Sequence, residues 1–195
     1  MQKQVVIYLH GFNSSPDSFK AVQTKAFFSR YYPDIELVIP HLALTPLAAW
    51  LQIELITQQY AAHKLGFIGS SLGGFFATLL ANKYDANAVL INPAVEPHLL
   101  IDSLVGEYTN PYTGAVHQVE ARHGEELKSL QFSEVAQPHK FWVLLQQGDE
   151  TLDYKLAMDC YRGGRLTIEP LGDHSFVGFN RYLNAIVEFL FKNRP

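Results

Sequence analysis

One cysteine, Cys160, is all the chain contains, so no internal disulfide can staple it. Its neighbourhood, Met158-Asp159-Cys160-Tyr161, has no CxxC or metal-ligand spacing, and a buried or half-exposed free thiol is expected. Excess charge of one sign is also missing. Fifteen Lys and Arg stand against 19 Asp and Glu, a net of −4, with no long basic or acidic run. That balance gives no support to binding of nucleic acid or an anionic membrane surface. Long hydrophobic runs are absent too. Near the start, Lys3 precedes only Val5-Val6-Ile7-Tyr8-Leu9 before His10-Gly11, too short for a signal-peptide core or a membrane span. A cytoplasmic protein without stable membrane insertion is the expectation. Neither internal repeats nor low-complexity segments break the chain.

What is present is enough apolar material for a core: 48% of 195 residues are hydrophobic, sufficient for one domain without disulfides or metal. Six short apolar runs read as strands: Val5–Leu9, Ile35–Ile39, Leu65–Gly69, Ala88–Asn92, Phe141–Gln146 and Arg165–Glu169. Several are apolar throughout, the pattern of strands covered on both faces. Stretches of helical spacing lie between them, with Leu47, Trp50, Leu51 and Leu55 in one and Phe179, Tyr182, Leu183, Ile186 and Leu190 in the last. Strand and helix alternate, which predicts a mostly parallel α/β sheet with helices on both faces. The rhythm breaks once. From Pro97 to Pro138 no convincing strand appears, although Glu125–Leu130 has helical spacing. Loops of that length in a compact domain are as a rule functional or disordered. One domain over 1–195 is expected, with 97–138 as a lid-like insertion.

The chemistry concentrates at Gly69-Ser70-Ser71-Leu72-Gly73, a G-x-S-x-G motif lying between an apolar strand and a helix that begins near Leu72. At such an elbow the chain reverses so sharply that the serine takes a strained backbone conformation, and only small residues at 69 and 73 let strand and helix approach. The turn leaves the Leu72 N–H at a helix N-terminus, where it can stabilise an oxyanion. A second oxyanion donor is expected from the Phe12 amide in His10-Gly11-Phe12, with His10 shaping the loop. A glycine-rich phosphate cradle is the competing reading, weakened by the missing P-loop lysine.

A serine hydroxyl is a weak nucleophile unless a histidine accepts its proton and a carboxylate orients that histidine. In the order Ser, acid, His, only His174 of the eight histidines follows the last strand. The acid belongs just after Phe141–Gln146, where Asp149, Glu150 and Asp153 crowd together. Asp149 is first off the strand and is favoured. Asp153 has the look of a helix N-cap, and Asp173, adjacent to the histidine, of a turn residue. The remaining histidines, His41, His63, His98, His117, His123 and His139, lack metal-ligand spacing and are expected on surfaces or loops.

Taken together, Tyr8-Leu9-His10-Gly11-Phe12-Asn13-Ser14-Ser15-Pro16, Gly69–Gly74, Gln147-Gly148-Asp149-Glu150 and Gly172-Asp173-His174-Ser175-Phe176 resemble the small bacterial YqiA-type esterases. Asn92-Pro93-Ala94 and Asn110-Pro111-Tyr112-Thr113-Gly114 look like that family as well. The resemblance runs nearly end to end. It implies an α/β-hydrolase fold of about six strands in the order 2-1-3-4-5-6 and a Ser71–His174–Asp149 triad. It implies no cofactor and an ester or thioester substrate, acyl-CoA thioesters among the candidates. Gln146-Gln147 departs from the family pattern, and no catalytic consequence is expected of it. Acyl transfer, C–C hydrolysis, or ligand binding on a scaffold of this kind are the alternatives, because a fold does not choose among reactions.

Overall fold

In chain order, the computed structural model, which describes residues 2–191, forms β1 (Gln4–Leu9), α1 (Phe19–Tyr31), β2 (Glu36–Val38), α2 (Pro46–Gln59), β3 (Lys64–Ser70), α3 (Leu72–Tyr84) and β4 (Asn87–Ile91). It continues with α4 (Ile101–Leu104), β5 (Gly106–Thr109), β6 (Val116–Val119), α5 (Arg122–Ser129), β7 (Phe141–Gln146), α6 (Tyr154–Cys160), β8 (Arg165–Glu169) and α7 (Leu183–Phe191). Six strands form one sheet ordered β2-β1-β3-β4-β7-β8. All its pairings are parallel. The order departs from the expected 2-1-3-4-5-6 only because a separate hairpin takes the fifth and sixth places in the chain.

Alternation along β1 explains the layering. Val5, Ile7 and Leu9 join one core, packed under α2, α3 and α6, while Val6 and Tyr8 join the other, under α1 and α7. Strands covered on both faces read as near-continuous apolar runs, and β7 is buried along its whole length. No helix among the described residues is long and apolar enough to cross a membrane.

Two features differ from the sequence reading. The inward face of α2 is Pro46, Ala49, Ile53 and Thr57, while Leu47, Leu51 and Leu55 face solvent and Trp50 lies against Phe76. A helix apolar around most of its circumference has several stripes of helical period, and the small side chains let it approach the sheet most closely. The 97–138 segment, expected to hold no strand, contains a 3₁₀ turn (Pro97–Leu100), α4, the antiparallel hairpin β5–β6 and α5. The hairpin strands are four residues each and mix polar with apolar side chains, so neither shows an apolar run.

Candidate active site

At the end of β3 the chain passes through Ser71, at φ 55° and ψ −122°, before entering α3. This positive-φ conformation is costly for an L-residue with a side chain. Packing enforces it. A Cβ on Gly69 would run into the Gly73 carbonyl, and one on Gly73 into the Leu9 carbonyl, so strand and helix meet at a distance only glycine permits. The Ser71 backbone is also pinned, its N–H donating to the Ile91 carbonyl at 3.0 Å and its carbonyl accepting from Gly74 at 2.8 Å and Ala94 at 3.1 Å.

Opposite the elbow, His174 Nε2 stands 3.0 Å from Ser71 Oγ, and His174 Nδ1 lies 3.0 and 2.9 Å from the two Asp149 carboxylate oxygens. The three acidic candidates after β7 separate by position. Asp149 meets the imidazole ring, Glu150 accepts from the His174 backbone amide at 3.0 Å, and Asp153 caps α6 by accepting from the Lys155 amide at 3.0 Å. Asp173 accepts from the Ser175 hydroxyl, a turn contact. Burial works to raise the Asp149 pKa, but the His174 hydrogen bond and the Leu152 and Thr151 amides outweigh it and hold the carboxyl below its ordinary value. On the far side of the His174 loop, Lys20 donates to the Ser175 carbonyl at 2.6 Å, and burial pushes its pKa down to about 8.

Two further side chains hold that loop, Asn92 and Gln146, which in the sequence stood out only as part of a family-like turn and as a departure from the family pattern. Buried Asn92, at φ 39°, donates to the Asp173 and His174 carbonyls and accepts from the Gln146 amide. Gln146 Oε1 accepts from the Asp173 and Val177 amides at 3.2 and 2.8 Å, and its Nε2 donates to Glu169 and to the Val177 carbonyl. Gln146, of which no catalytic consequence is expected, forms a buried tie between the end of β7 and the histidine loop. A polar residue ending an otherwise apolar strand was the available signal.

The loop after β1 approaches from above. His10 bridges two loops, Nδ1 donating to the Gly11 carbonyl and Nε2 accepting from the Leu42 amide, and burial lowers its pKa. Gly11 lies so close that a Cβ there would sit 3.1 Å from Ser71 Cβ. Among the described residues no acceptor meets the Phe12 or Leu72 amide.

A cavity of about 260 Å³ opens beside Ser71 and His174. Its wall is largely apolar, with Phe12 from the first loop, Leu42 from the second and Ile101, Leu104 and Leu127 from the 97–138 segment. His117 and His123 line it too. His123, expected at a surface or in a loop, is only 3% exposed and shares the inward face of α5 with Leu127 four residues on. That i, i+4 pairing with an apolar residue was the sequence signal that marked it as inward. No group of three or more His, Cys, Asp or Glu side chains among the described residues is placed to hold a metal ion.

A parallel sheet with this strand order, an elbow serine off its third strand and a histidine after its last define the α/β-hydrolase fold. Solved structures share it at low identity. A protein of Agrobacterium vitis S4 matches with a TM-score of 0.76 at 18% identity, over 96% of this chain and 88% of that one. Est1E from Butyrivibrio proteoclasticus matches at 0.68 and 16%, over 96% and 87% of the two chains. Mouse alpha/beta hydrolase domain-containing protein 10 matches at 0.69 and 16%, over 94% and 86%. Within that fold, the chain belongs to the uncharacterised protein family UPF0227, the YqiA-like family, which its residues 5–191 match.

Proposed function

We propose that this protein is a serine hydrolase of carboxylic esters or thioesters, working through Ser71, His174 and Asp149. The observation that carries the reading is the unbroken hydrogen-bond chain from Ser71 Oγ through the imidazole to the Asp149 carboxylate. In this account His174 Nε2 takes the Ser71 proton as Oγ attacks the substrate carbonyl. Oxyanion charge falls to the Phe12 and Leu72 amides, the second of which also has the positive end of the α3 dipole behind it. The imidazolium returns its proton to the departing alcohol or thiol, leaving an acyl-enzyme. Water, deprotonated by His174, then attacks the acyl carbonyl and frees the acid and Ser71. Asp149 stays ionised throughout, fixing the tautomer with hydrogen on Nδ1 and stabilising the imidazolium. No step calls for a metal or organic cofactor.

The substrate in this reading is a small molecule whose acyl part enters the apolar cavity, with the 97–138 insertion acting as a lid over it. Est1E of the same fold has been solved with ferulic acid bound. The reading is tested by kcat/KM for p-nitrophenyl esters and acyl-CoA thioesters of graded length. Ser71→Ala is expected to reduce kcat for the best substrate about 10⁴-fold or more. Unchanged turnover would remove Ser71 from the mechanism.

A further inference from the structure

Buried polar side-chain atoms normally have a hydrogen-bond partner, and those that do not call for a reason. Asn13 Oδ1, His117 Nδ1 and His123 Nε2 have none, and all three belong to residues that line the cavity beside Ser71. His123 is the most telling. Its Nδ1 accepts from the Glu120 backbone amide at 3.2 Å, which leaves that nitrogen without a hydrogen and places the ring's hydrogen on Nε2. The unpartnered atom is thus a donor. An apolar ring at this position would carry no orphaned donor of its own, although it would leave the Glu120 amide without its acceptor. The surrounding wall offers the donor no acceptor, so within the cavity its acceptor is water or an oxygen that a ligand brings in.

We propose that His123 determines substrate specificity, its Nε2–H donating to an oxygen carried on the otherwise apolar acyl part of the substrate. The substrate class is then hydroxy- or oxo-substituted acids as esters or thioesters, not plain alkanoates. The inference rests on the serine-hydrolase reading and deepens it. An enzyme that leaves a donor unpaired with the plain substrate and pairs it with the oxygenated one discriminates between them through that single bond. His117 and Asn13 add polar capacity to the same wall, where a hydroxyl could both donate and accept.

The test is a set of matched p-nitrophenyl esters, straight-chain acids of graded length against the same acids bearing a hydroxyl or keto group at successive positions. Wild-type enzyme is expected to favour at least one oxygenated ester over its plain partner by about tenfold or more in kcat/KM, the discrimination of one buried hydrogen bond. His123→Asn keeps an acceptor for the Glu120 amide but lacks the distal donor. It should fold with a melting temperature near wild type and lose the preference, kcat/KM falling for the oxygenated ester by about tenfold more than for its plain partner. His123→Phe should show the same loss of preference, and the two variants together separate recognition from packing. Ser71-dependent hydrolysis with no preference for any oxygenated ester, or a preference that survives in both variants, would overturn the proposal and leave the hydrolase reading standing. Absence of ester hydrolysis together with failure of Ser71 to take a fluorophosphonate would overturn both.

Discussion

Asn92 holds the backbone of His174: its Nδ2 donates to the His174 carbonyl at 3.2 Å and to the Asp173 carbonyl at 3.0 Å, while its Oδ1 accepts from Gln146 at the end of β7. The strand that leads to Asp149 and the loop that carries His174 are thereby fixed to one buried amide. Position of the imidazole depends on β4 and β7, not on the flexibility of its own loop.

Truncating that amide should therefore loosen the imidazole before it unfolds the protein. Asn92→Ala is expected to cost about 1–3 kcal/mol of stability, the penalty for buried groups left unpaired. It should lower kcat by about tenfold to a hundredfold with KM changed less, because misplacement of a catalytic group weakens the reacting geometry. Steady-state kinetics beside urea unfolding checks this, and unimpaired kcat in a destabilised variant would reduce Asn92 to a structural role.

Strain at the elbow makes a separate prediction. Ser71→Gly and Ser71→Ala both remove the hydroxyl, but only glycine relieves the positive φ. Strain of about 1–3 kcal/mol, less about 0.5–1 kcal/mol for the added freedom of the unfolded glycine, should leave Ser71→Gly about 1 kcal/mol more stable than Ser71→Ala. In a chain of this size that is a melting temperature about 2–4 °C higher, read by calorimetry. Equal melting temperatures would mean that the elbow is not strained.

The Asp149 carboxyl titrates below its ordinary value of 3.8 in the folded chain, so folding favours its ionised form. A depressed carboxylate contributes stability that is complete above the unfolded pKa and is lost as pH falls through the folded one. Asp149→Asn should thus be about 2 kcal/mol less stable than wild type at pH 7, the worth of hydrogen bonds to a charged group. The gap should narrow below about pH 4, where the unfolded carboxylate takes up its proton first. Denaturant melts of both proteins from pH 7 to pH 3 measure it, and a gap independent of pH would mean that the charge of Asp149 plays no part.

Much of this was legible in the sequence because the governing constraints are local. The four inner strands β1, β3, β4 and β7 announce themselves as mostly apolar runs, since a parallel strand covered on both faces has little polar side to show, while the edge strands β2 and β8 are shorter on apolar residues and only half-buried. Gly69 and Gly73 mark the elbow because no other residue fits the Leu9 and Gly73 carbonyls. Asp153 could be set aside as a cap from its place before a helix, and the structure puts it there. What stayed hidden depends on partners distant in the chain. The hairpin β5–β6 satisfies its own backbone with four polar-rich residues on each side and leaves no periodic trace. The face of α2 turned inward was decided by contact with the sheet, not by Leu47, Leu51 and Leu55. Asn92 and Gln146 act on a loop some eighty and thirty residues away, at Asp173, His174 and Val177; a polar end on an apolar strand marks Gln146, but no local pattern names the partners of either residue. Asp149 and Ser71 were readable as residues, but their distances to His174 belong to the fold.

The most direct test of the account is covalent labelling of the folded protein with a fluorophosphonate, read by intact mass and peptide mapping. One adduct per chain, on Ser71, is expected at neutral pH, absent in Ser71→Ala and slowed strongly in His174→Ala, whose serine lacks its base. No adduct, or one on another residue that persists in Ser71→Ala, would contradict the assignment of Ser71 as an activated nucleophile.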